Sequence, residues 1–435
     1  MDRCMLWLAG LTLWIAMAAC NPRYCADRPY ADCRRSWDAG LDSSDASAFC
    51  KGDGDCMAPT AVCDLGGTML CVQCTPAEPG ACVGTTPVCV SSACQRCTAH
   101  AQCSASNVCL PDGSCADEQQ VAYVASGGSG ATCTRSAPCG TLDSGVKTGR
   151  PFVKVATGTV ADTQTTTIDA RAVTILADPG AKLSLAGPGA ILRVQNDGAD
   201  VRIYDLEITG GTGAANPAIS VPSGGAPRLA LTHVVIDGNQ GFGISIDAGA
   251  LAMSRSIVST NTGGGVVITA SEFDIENSFI VENGAAASAL GGIDISKILT
   301  PAGTHRLDFN TITANLGPPT VAVNTGINCS TIGTLLTFNN NIIYGNVVAA
   351  GGQQLGGSAM CVASYSDVGP DPAAGATNLN MPPMFADAAK GNFHLASTSP
   401  CKDAADPAAT QSVDFDGDAR PQGPRRDIGA DEILP

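Results

Sequence analysis

Aromatic side chains and positive charges are scarce in this chain of 435 residues. Phe, Trp and Tyr make up 4% of it, and 24 Lys and Arg face 40 Asp and Glu, so the net charge is −16. Without a basic surface to meet phosphates, nucleic acid is disfavoured as a partner. Charged residues reach only 15% while Gly reaches 50 residues, which is typical of short strands and tight turns rather than helices.

Long apolar runs are also lacking, apart from residues 5–19. This run follows Arg3, ends in small residues before Cys20, and is too short to span a bilayer comfortably. The pattern predicts an export signal over 1–19. MAAC (17–20) resembles a bacterial lipobox, which predicts lipidation of Cys20, a lipidated tether over 20–49, and anchoring at the bacterial cell surface or outer membrane. The alternative is an ordinary signal peptide cleaved near Cys20.

Cysteine, by contrast, is abundant, with 21 residues. Twelve form three units that begin 24 and 23 residues apart, each with Val before its third Cys. The units are Cys50, Cys56, Cys63 and Cys71; Cys74, Cys82, Cys89 and Cys94; and Cys97, Cys103, Cys109 and Cys115. Such short units bury too little apolar surface alone, which predicts three disulfide modules over 50–118. Zinc is the alternative, because Cys71 and Cys74 lie at about zinc-ribbon spacing.

Seven cysteines remain once Cys4, Cys20 and the repeat are set aside. Three candidate pairs are Cys25 with Cys33, Cys133 with Cys139, and Cys329 with Cys361. This leaves Cys401, which is either free or takes the place of another partner. Sequence alone does not assign the connectivity.

Asparagine recurs at similar intervals in the second half of the chain. Asn239, Asn261, Asn283, Asn315 and Asn346 are separated by 22, 22, 32 and 31 residues. Three residues before each lies a β-branched residue, namely Ile236, Val258, Ile280, Ile312 and Ile343. Two further apolar columns precede these by five and seven residues. Apolar residues at alternating positions predict short half-buried strands, and the repeat predicts that the asparagines stack at a turn, each amide bonding the next.

The predicted fold class is therefore all-β, a right-handed parallel β-helix preceded by small disulfide-rich repeat modules. We place the β-helix at 151–365 and a linker with an N-terminal cap at 119–150, where TLDSGV (141–146) is expected to form a short capping helix. An apolar stripe is expected to face outward from Val235, Ile257, Phe279 and Ile342. Covering of this stripe by an insertion loop such as 284–292 is favoured over an open partner surface, because exposed β surface promotes aggregation.

The last segment, 366–435, contains PMFADAAKGNFHL (383–395), STSPCKDAAD (397–406) and DFDGDARPQGPRRDIGADE (414–432). Together these resemble the choice-of-anchor Q domain family of bacterial surface proteins, and the resemblance extends more loosely to about residue 121. It implies a pectin-lyase-like parallel β-helix held at the cell surface by an anchor, which here would be the lipid on Cys20. Cys401 departs from the family, where a small or aliphatic residue is more usual.

Acidic residues in this segment raise the question of a metal. Asp414, Asp416 and Asp418 alternate around Gly417 like the start of a calcium loop, but no Glu occupies the twelfth place. We favour ion pairs between these aspartates and the arginines that follow them, which are Arg420, Arg425 and Arg426. Ca²⁺ is the alternative, and no other cofactor is expected.

Two classes of function fit a β-helix. Asp205, His233, Arg255 and Asn277 share one column on neighbouring coils and are the candidate catalytic residues, with a solvated polar face as the alternative. Lyase and hydrolase motifs are not evident, and the solenoid lacks Trp for stacking sugars. We expect a non-catalytic surface protein that binds extracellular polysaccharide or a surface protein. The alternative is a polysaccharide lyase or glycoside hydrolase, which an outward carboxylate pair beside an Arg on adjacent coils would favour.

Overall fold

A computed structural model describes residues 49–286, 290–299, 302–317, 325–347, 353–370 and 375–435. The predicted signal and tether, with Cys4, Cys20, Cys25 and Cys33, lie outside the described residues. The chain divides into two compact units. One ends at Cys97 and includes Pro111–Ser114, and the other comprises Thr98–Leu110 and Cys115–Pro435.

Disulfides hold the first unit together. They join Cys50 to Cys63, Cys56 to Cys71, Cys74 to Cys89 and Cys82 to Cys94. In both modules the first Cys therefore pairs with the third and the second with the fourth. The regular elements are the hairpins Val62–Cys63 with Cys71–Val72 and Val88–Val90 with Ala93–Gln95, and the 3-10 turns Asp53–Asp55 and Pro79–Ala81. Cys71 and Cys74 are both oxidised, which favours disulfide modules over zinc.

The second unit begins with most of the third module, which packs on the first strands of the solenoid. Tyr123 Oη donates to Ser106 O at 2.7 Å, and Val108 is buried against Val121 and Tyr123. The disulfides Cys103–Cys115 and Cys133–Cys139 stabilise this region. Its 3-10 turns are His100–Gln102 and Glu118–Gln120.

A single short α-helix, α1 (Leu142–Lys147), lies in the described part of the second unit. The Thr141 side chain accepts a hydrogen bond from Ser144 N, and the Asp162 carboxylate accepts one from Leu142 N at 2.8 Å. These bonds satisfy amides that the first turn of a helix leaves free. Leu142 and Val146 are buried in the solenoid core, so the capping helix expected at 141–146 is present.

Three parallel sheets form the solenoid, and within the described residues they contain ten, nine and eight strands. Sheet A comprises Val121–Val124, Phe152–Val155, Ala172–Ala177, Asp200–Tyr204, Arg228–Thr232, Ala250–Ser254, Glu272–Glu276, His305–Asp308, Leu336–Asn339 and Cys361–Ser364. Sheet B comprises Gly158–Asp162, Ala181–Leu185, Glu207–Thr209, Val235–Asp237, Ile257–Ser259, Phe279–Val281, Thr311–Thr313, Ile342–Tyr344 and Asp367–Gly369. Sheet C comprises Thr166–Asp169, Leu192–Gln195, Ile219–Val221, Phe242–Asp247, Gly264–Thr269, Ile293–Ser296, Ile327–Ser330 and Leu355–Gly356.

The apolar columns fill the interior of these coils. Ile236, Val258 and Ile280 lie in register on neighbouring strands of sheet B and are fully buried. In sheet A, Met253 pairs in register with Ile275, and both are buried. The predicted fold class is confirmed as an all-β parallel β-helix with a disulfide-rich N-terminal region. The disulfide Cys329–Cys361 links two of its coils, and Cys401 is a buried free thiol.

The asparagine column forms a continuous ladder at the turn after sheet B. Each Nδ2 donates to the Oδ1 of the next asparagine, from Asn239 through Asn261, Asn283, Asn315 and Asn346, at 2.8, 2.9, 3.1 and 2.8 Å. The last amide donates to Gln354 Oε1 at 2.8 Å. All five asparagines are buried, so the ladder satisfies polar groups that the core would otherwise leave unpaired.

A second ladder, which the sequence analysis missed, lies at the turn between sheets A and B. Its members are Ser256, Ser278, Asn310, Asn341 and Ser366, each bonded through its backbone N–H to the side-chain oxygen of the next. Each lies two residues before the buried β-branched column. This constant spacing could have revealed the second ladder in the sequence. It is hard to recognise because the residue type changes between Ser and Asn along the column.

The C-terminal region folds back over the outer face of sheet B. It contains the hairpin Phe385–Asp387 with Asn392–Leu395, joined by the 3-10 turn Ala388–Lys390. Phe393 packs against Phe279 and Val281. This region therefore covers the apolar stripe at Phe279, whereas the sequence analysis favoured loop 284–292, of which residues 287–289 lie outside the described residues. Phe393 and Phe279 are far apart along the chain and meet only in the folded molecule. The spacing of the repeat does not encode such a contact.

Gly429 packs closely against the solenoid. Its N–H donates to Asn340 O at 2.9 Å, and Ala430 N donates to Thr311 Oγ1 at 3.1 Å. Gly429 has φ +100°, and a Cβ at this position would meet Ile342 at 2.6 Å. Only glycine tolerates both the backbone conformation and the contact. In the parts of the chain described here, no helix is long and apolar enough to cross a membrane.

Candidate functional site

The column Asp205, His233, Arg255 and Asn277 is a turn position. Each residue directly follows a strand of sheet A and has positive φ, 61°, 54°, 49° and 45°, so it forms the left-handed bend toward sheet B. His233 Nδ1 lies 3.3 Å from Asp205 Oδ1, and both side chains are partly exposed. Arg255 Nε instead donates to Phe415 O at 2.9 Å, and Asn277 is buried. The four residues therefore do not form one open patch.

A groove crosses the outer face of sheet A, and neither Asp205 nor His233 lines it. Its floor is low because Ala230 and Ala252 occupy outward positions on two consecutive strands. The groove consists of two adjoining clefts of about 320 and 300 Å³, and Ala250 lines both. The strands that carry its walls are three positions apart in the sheet, which corresponds to about 14 Å between their backbones.

Arginine and tyrosine form one wall of the groove. Arg202 and Tyr204 project from the strand Asp200–Tyr204, and Arg202 pairs with Asp200 at 3.1 Å. Arg228 lies on the next strand and is exposed. Among the residues that the structure describes, no carboxylate lies within ion-pair distance of Arg228. Its guanidinium is therefore available to an anionic group of a ligand.

Glu272 and Asp274 line the opposite wall, and Asp274 belongs to a carboxylate cluster organised around Arg306. Arg306 Nε lies 2.7 Å from Asp274 Oδ1, and its Nη2 lies 2.6 Å from Glu276 Oε2. Asp308 Oδ2 lies 3.7 Å from Nη1. Asp274 pairs in register with Arg306, and Glu276 with Asp308, so the cluster spans two adjacent coils. Burial raises the pKa of Asp308 to about 6, against the opposing effects of Asn340 and Arg306.

This cluster is the outward carboxylate pair beside an Arg that the sequence analysis named as a discriminating feature and did not find. The sequence does contain a sign that Asp274 faces outward, because Asp274 lies between Phe273 and Ile275, which are both buried. A residue between two members of a buried alternating pattern must face outward. Only the register between coils places Asp274 beside Arg306, and the inserted residues between those coils conceal this register.

A separate cleft, of about 390 Å³, lies where the C-terminal region meets sheet B. Val235 and Ile257 form its floor, which is the part of the apolar stripe that remains uncovered. The rings of Phe279 and Phe415 meet edge to face there, with centroids 4.8 Å apart. His394 contributes a polar edge to this otherwise largely apolar cleft.

The three aspartates of the suggested calcium loop do not converge. Asp414 is buried and accepts hydrogen bonds from Gly417 N, Asp418 N and Glu432 N. Asp416 points away, toward His394 Nε2 at 3.0 Å. These carboxylates therefore do not share one site as an EF-hand loop requires.

The expected pairing of these aspartates with the following arginines is replaced by other contacts. Arg420 is buried and pairs with Glu432 at 3.2 Å, and it also donates to Gly429 O at 2.8 Å. Arg425 Nε donates to Asp403 O at 2.7 Å, and Arg426 Nε donates to Gln411 O. The arginines bind carbonyls and a glutamate because the chain reverses after the acidic loop.

No protein-family model and no curated protein matches this sequence. Among solved structures, the chain is similar to the crystal structure of pectate lyase Pel9A, with a TM-score of 0.45 and 14% sequence identity. The match covers 72% of this chain and 96% of that chain. The likeness is one of fold, a parallel β-helix. The resemblance to the choice-of-anchor Q domain family stays a prediction.

Proposed function

We propose that this protein is a non-catalytic, extracellular polysaccharide-binding protein that holds a sugar chain in the groove of sheet A. The observation that carries the proposal is the alanine floor between an arginine wall and a carboxylate wall. Sugar hydroxyls donate to carboxylates such as Glu272, and a uronate carboxylate accepts from Arg228. A rigid, pre-formed groove avoids much of the ordering cost of binding.

The carboxylates around Arg306, which adjoin the wall through Asp274, support binding rather than turnover, because their oxygens already have partners. Arg306 binds both Asp274 and Glu276, and Gln411 Nε2 also donates to Glu276. Asn340 Nδ2 donates to Asp308 Oδ1 at 2.8 Å. Groups held in this way keep the wall in shape, whereas a general acid or base must be free to reach the reacting oxygen.

The proposal includes an anchor on Cys20 at the bacterial cell surface or outer membrane. The disulfides of the described residues fit a chain that folds in an oxidising compartment. A lipid at the N-terminus, followed by disulfide modules, would place the groove outside the membrane. A surface protein ligand is the other partner that the sequence suggested, and the polar, open groove favours the polysaccharide.

Filling the groove tests the proposal. Ala252 is exposed on the floor, so Ala252→Trp should leave the fold intact and weaken polysaccharide binding by at least about tenfold. Thr337→Trp, an exposed outward change on sheet A outside the groove, is the matched control. Glycan-array binding followed by calorimetry on the whole mature chain gives the readout. Equal affinity of both variants and the unmodified protein for every bound glycan would contradict the proposal.

Glycoside hydrolysis is a second candidate, favoured by one observation. Burial raises the pKa of Asp308 to about 6, and Glu276 lies on the neighbouring strand in register with it. A carboxyl group whose pKa is raised can act as a general acid, and glycoside hydrolysis requires a second carboxyl group nearby. Release of reducing ends from a polysaccharide, abolished by Asp308→Asn and retained in Asp200→Asn, would replace the binding proposal with this one.

A further inference from the structure

A histidine that lines the sheet B cleft, His394, is brought together with two aspartates from separate segments. His394 lies on the hairpin strand Asn392–Leu395, Asp416 on the loop that follows Asp414, and Asp431 near the end of the chain. One ligand-type atom from each lies within 4.8 Å of the others. This cluster is separate from the sheet A groove, so the argument for it does not depend on the proposed function.

Hydrogen bonds fix the orientation of the His394 ring. Asn392 Oδ1 accepts from His394 N at 3.1 Å and lies 2.8 Å from His394 Nδ1. An amide oxygen only accepts, so Nδ1 carries a hydrogen. Nε2 then either carries a second proton or presents a lone pair toward Asp416 Oδ2, 3.0 Å away. A histidine that donates through one nitrogen and offers the other is the arrangement found at metal sites.

The charge balance of the cluster favours a divalent cation over a proton. A protonated His394 supplies one positive charge, whereas Asp416 and Asp431 together carry two negative charges when ionised. Asp431 is only 7% exposed. Ligand-type oxygens of Asp416 and Asp431 lie within 4.8 Å of each other, so the negative charges of the two carboxylates repel. A cation that contacts both carboxylates would remove this repulsion, which a single proton does not.

We infer that His394, Asp416 and Asp431 bind a divalent transition-metal ion at the edge of the sheet B cleft. Metal bonds to imidazole nitrogen and carboxylate oxygen are about 2.1 Å long. His394 Nε2 and Asp416 Oδ2 lie 3.0 Å apart. An ion bonded to both atoms at this bond length would therefore form an N–metal–O angle of about 90°, which is the angle of octahedral coordination. Carboxylates with an imidazole suit Mn²⁺ or Zn²⁺, whereas Ca²⁺ takes oxygen ligands. Three protein ligands leave further positions of the ion open.

The neighbouring aspartates are held by hydrogen bonds within their own loop, whereas Asp431 accepts one, from Leu395 N at 2.7 Å. Asp414 accepts three backbone hydrogen bonds and is fully buried. Asp418 takes part through its backbone, donating from N to Asp414 Oδ1 and accepting at O from Asp414 N. The Asp418 side chain therefore offers a matched control in the same loop, and it also separates the proposed site from a calcium loop formed by Asp414, Asp416 and Asp418.

The test is calorimetric titration of the whole mature chain, stripped with EDTA and kept non-reducing, with MnCl₂, ZnCl₂ and CaCl₂. One saturable site for Mn²⁺ or Zn²⁺ is expected, weakened at least about tenfold by His394→Ala and by Asp416→Ala and unchanged by Asp418→Ala. Both mutated side chains are partly exposed, and thermal melting without metal verifies that each variant folds. Absence of saturable binding below about 1 mM would overturn the proposal.

A second measurement locates the ion independently of affinity. The protein has four histidines, so the imidazole proton resonances are few, and His394→Ala assigns one set by its disappearance. Mn²⁺ should broaden the His394 resonances at substoichiometric concentration while those of His305, on sheet A, stay sharp. Broadening elsewhere, or a Ca²⁺ preference that Asp418→Ala removes, would assign the ion to a different site and refute the inference.

Discussion

Arg420 and Glu432 form an ion pair at 3.2 Å in which the two side chains are 0% and 1% exposed. Glu432 also accepts from Asp427 N at 3.0 Å and Gln422 N at 2.7 Å. Arg420 lies 4.7 Å above the ring of Phe309, at the surface of the solenoid. The acidic and basic residues of DFDGDARPQGPRRDIGADE thus hold the C-terminal region onto the β-helix. This role explains the positions of Arg420 and Glu432 without a ligand.

Glu432→Gln should destabilise the C-terminal region by about 3–5 kcal/mol, because Arg420 would remain buried without its ion-pair partner. Limited proteolysis should then release fragments from residues beyond 375, and urea unfolding should begin earlier. Asp387→Asn, which breaks the exposed pair with Lys390, is the control and should change stability little. Equal stability of both variants would show that the buried pair does not hold this region in place.

Asn283→Leu should lower the free energy of unfolding by roughly 2–3 kcal/mol. It removes the bonds to Asn315 Oδ1 and Val258 O, and it removes the Oδ1 that accepts from Asn261 Nδ2 and Asn261 N. Asn328→Leu is the control, because Asn328 faces outward from sheet C and is partly exposed. Urea denaturation of both variants gives the comparison. Similar losses for the two would mean that the ladder does not carry this stability.

Ile280→Asp should cost several kcal/mol more than Asn283→Leu, because it places a carboxylate in the fully buried column of sheet B. Ser259→Asp, on the outer face of the neighbouring strand, is the matched control. Thermal melting followed by circular dichroism measures the difference. A melting temperature of Ile280→Asp close to that of the unmodified protein would place Ile280 outside the core.

The free thiol of Cys401 lies 3.4 Å from Asp367 Oδ2, and burial raises the pKa of Asp367 to about 6. Because the folded pKa exceeds the unfolded value near 4, this carboxyl contributes most to stability below pH 4, and the contribution is lost as pH rises to about 6. Asp367→Asn removes this dependence. Urea unfolding measures the free energy of unfolding at pH 4.5 and at pH 7.5. Between these two pH values the stability of the variant, relative to that of the unmodified protein, should rise by on the order of 2 kcal/mol. A constant difference would contradict the prediction.

Arg228→Ala should weaken binding of a uronate polysaccharide by about tenfold and leave a neutral polysaccharide unaffected. The effect should shrink as salt rises, since exposed charges are screened. Arg193→Ala, an exposed arginine on sheet C, is the control and should bind as the unmodified protein does. Binding isotherms at two salt concentrations measure this. Equal losses from both variants would point to general charge attraction instead of the groove.

Cys20→Ser should release the mature protein from the membrane fraction if Cys20 carries the lipid. Intact-mass measurement of the membrane-extracted protein should show acyl mass on an N-terminal Cys20. Fractionation of cells that express either form provides the comparison. An unmodified N-terminus at any other residue would contradict the prediction of a lipid anchor.

The spacing of residues sufficed to predict the β-helix. Ile236, Val258 and Ile280 repeat at 22 residues, and one repeating unit alone determines strand, turn and buried face. The disulfide modules were predictable for the same reason, since their cysteines recur in fixed register. The candidate site was predictable only in part. Asp205 and His233 were named as one column and do lie side by side, but Arg255 was expected in the open and is covered by Phe415.

Local repetition is therefore what the sequence by itself determined, because each coil contacts mainly its neighbours and repeats their pattern. The tertiary structure decided everything that depends on contacts between distant segments. It brought Phe393 onto Phe279, Asp416 beside His394, and Arg306 between carboxylates of two coils that inserted residues separate. No periodicity encodes such contacts, since they arise from the path of the C-terminal region and from the register between coils of unequal length.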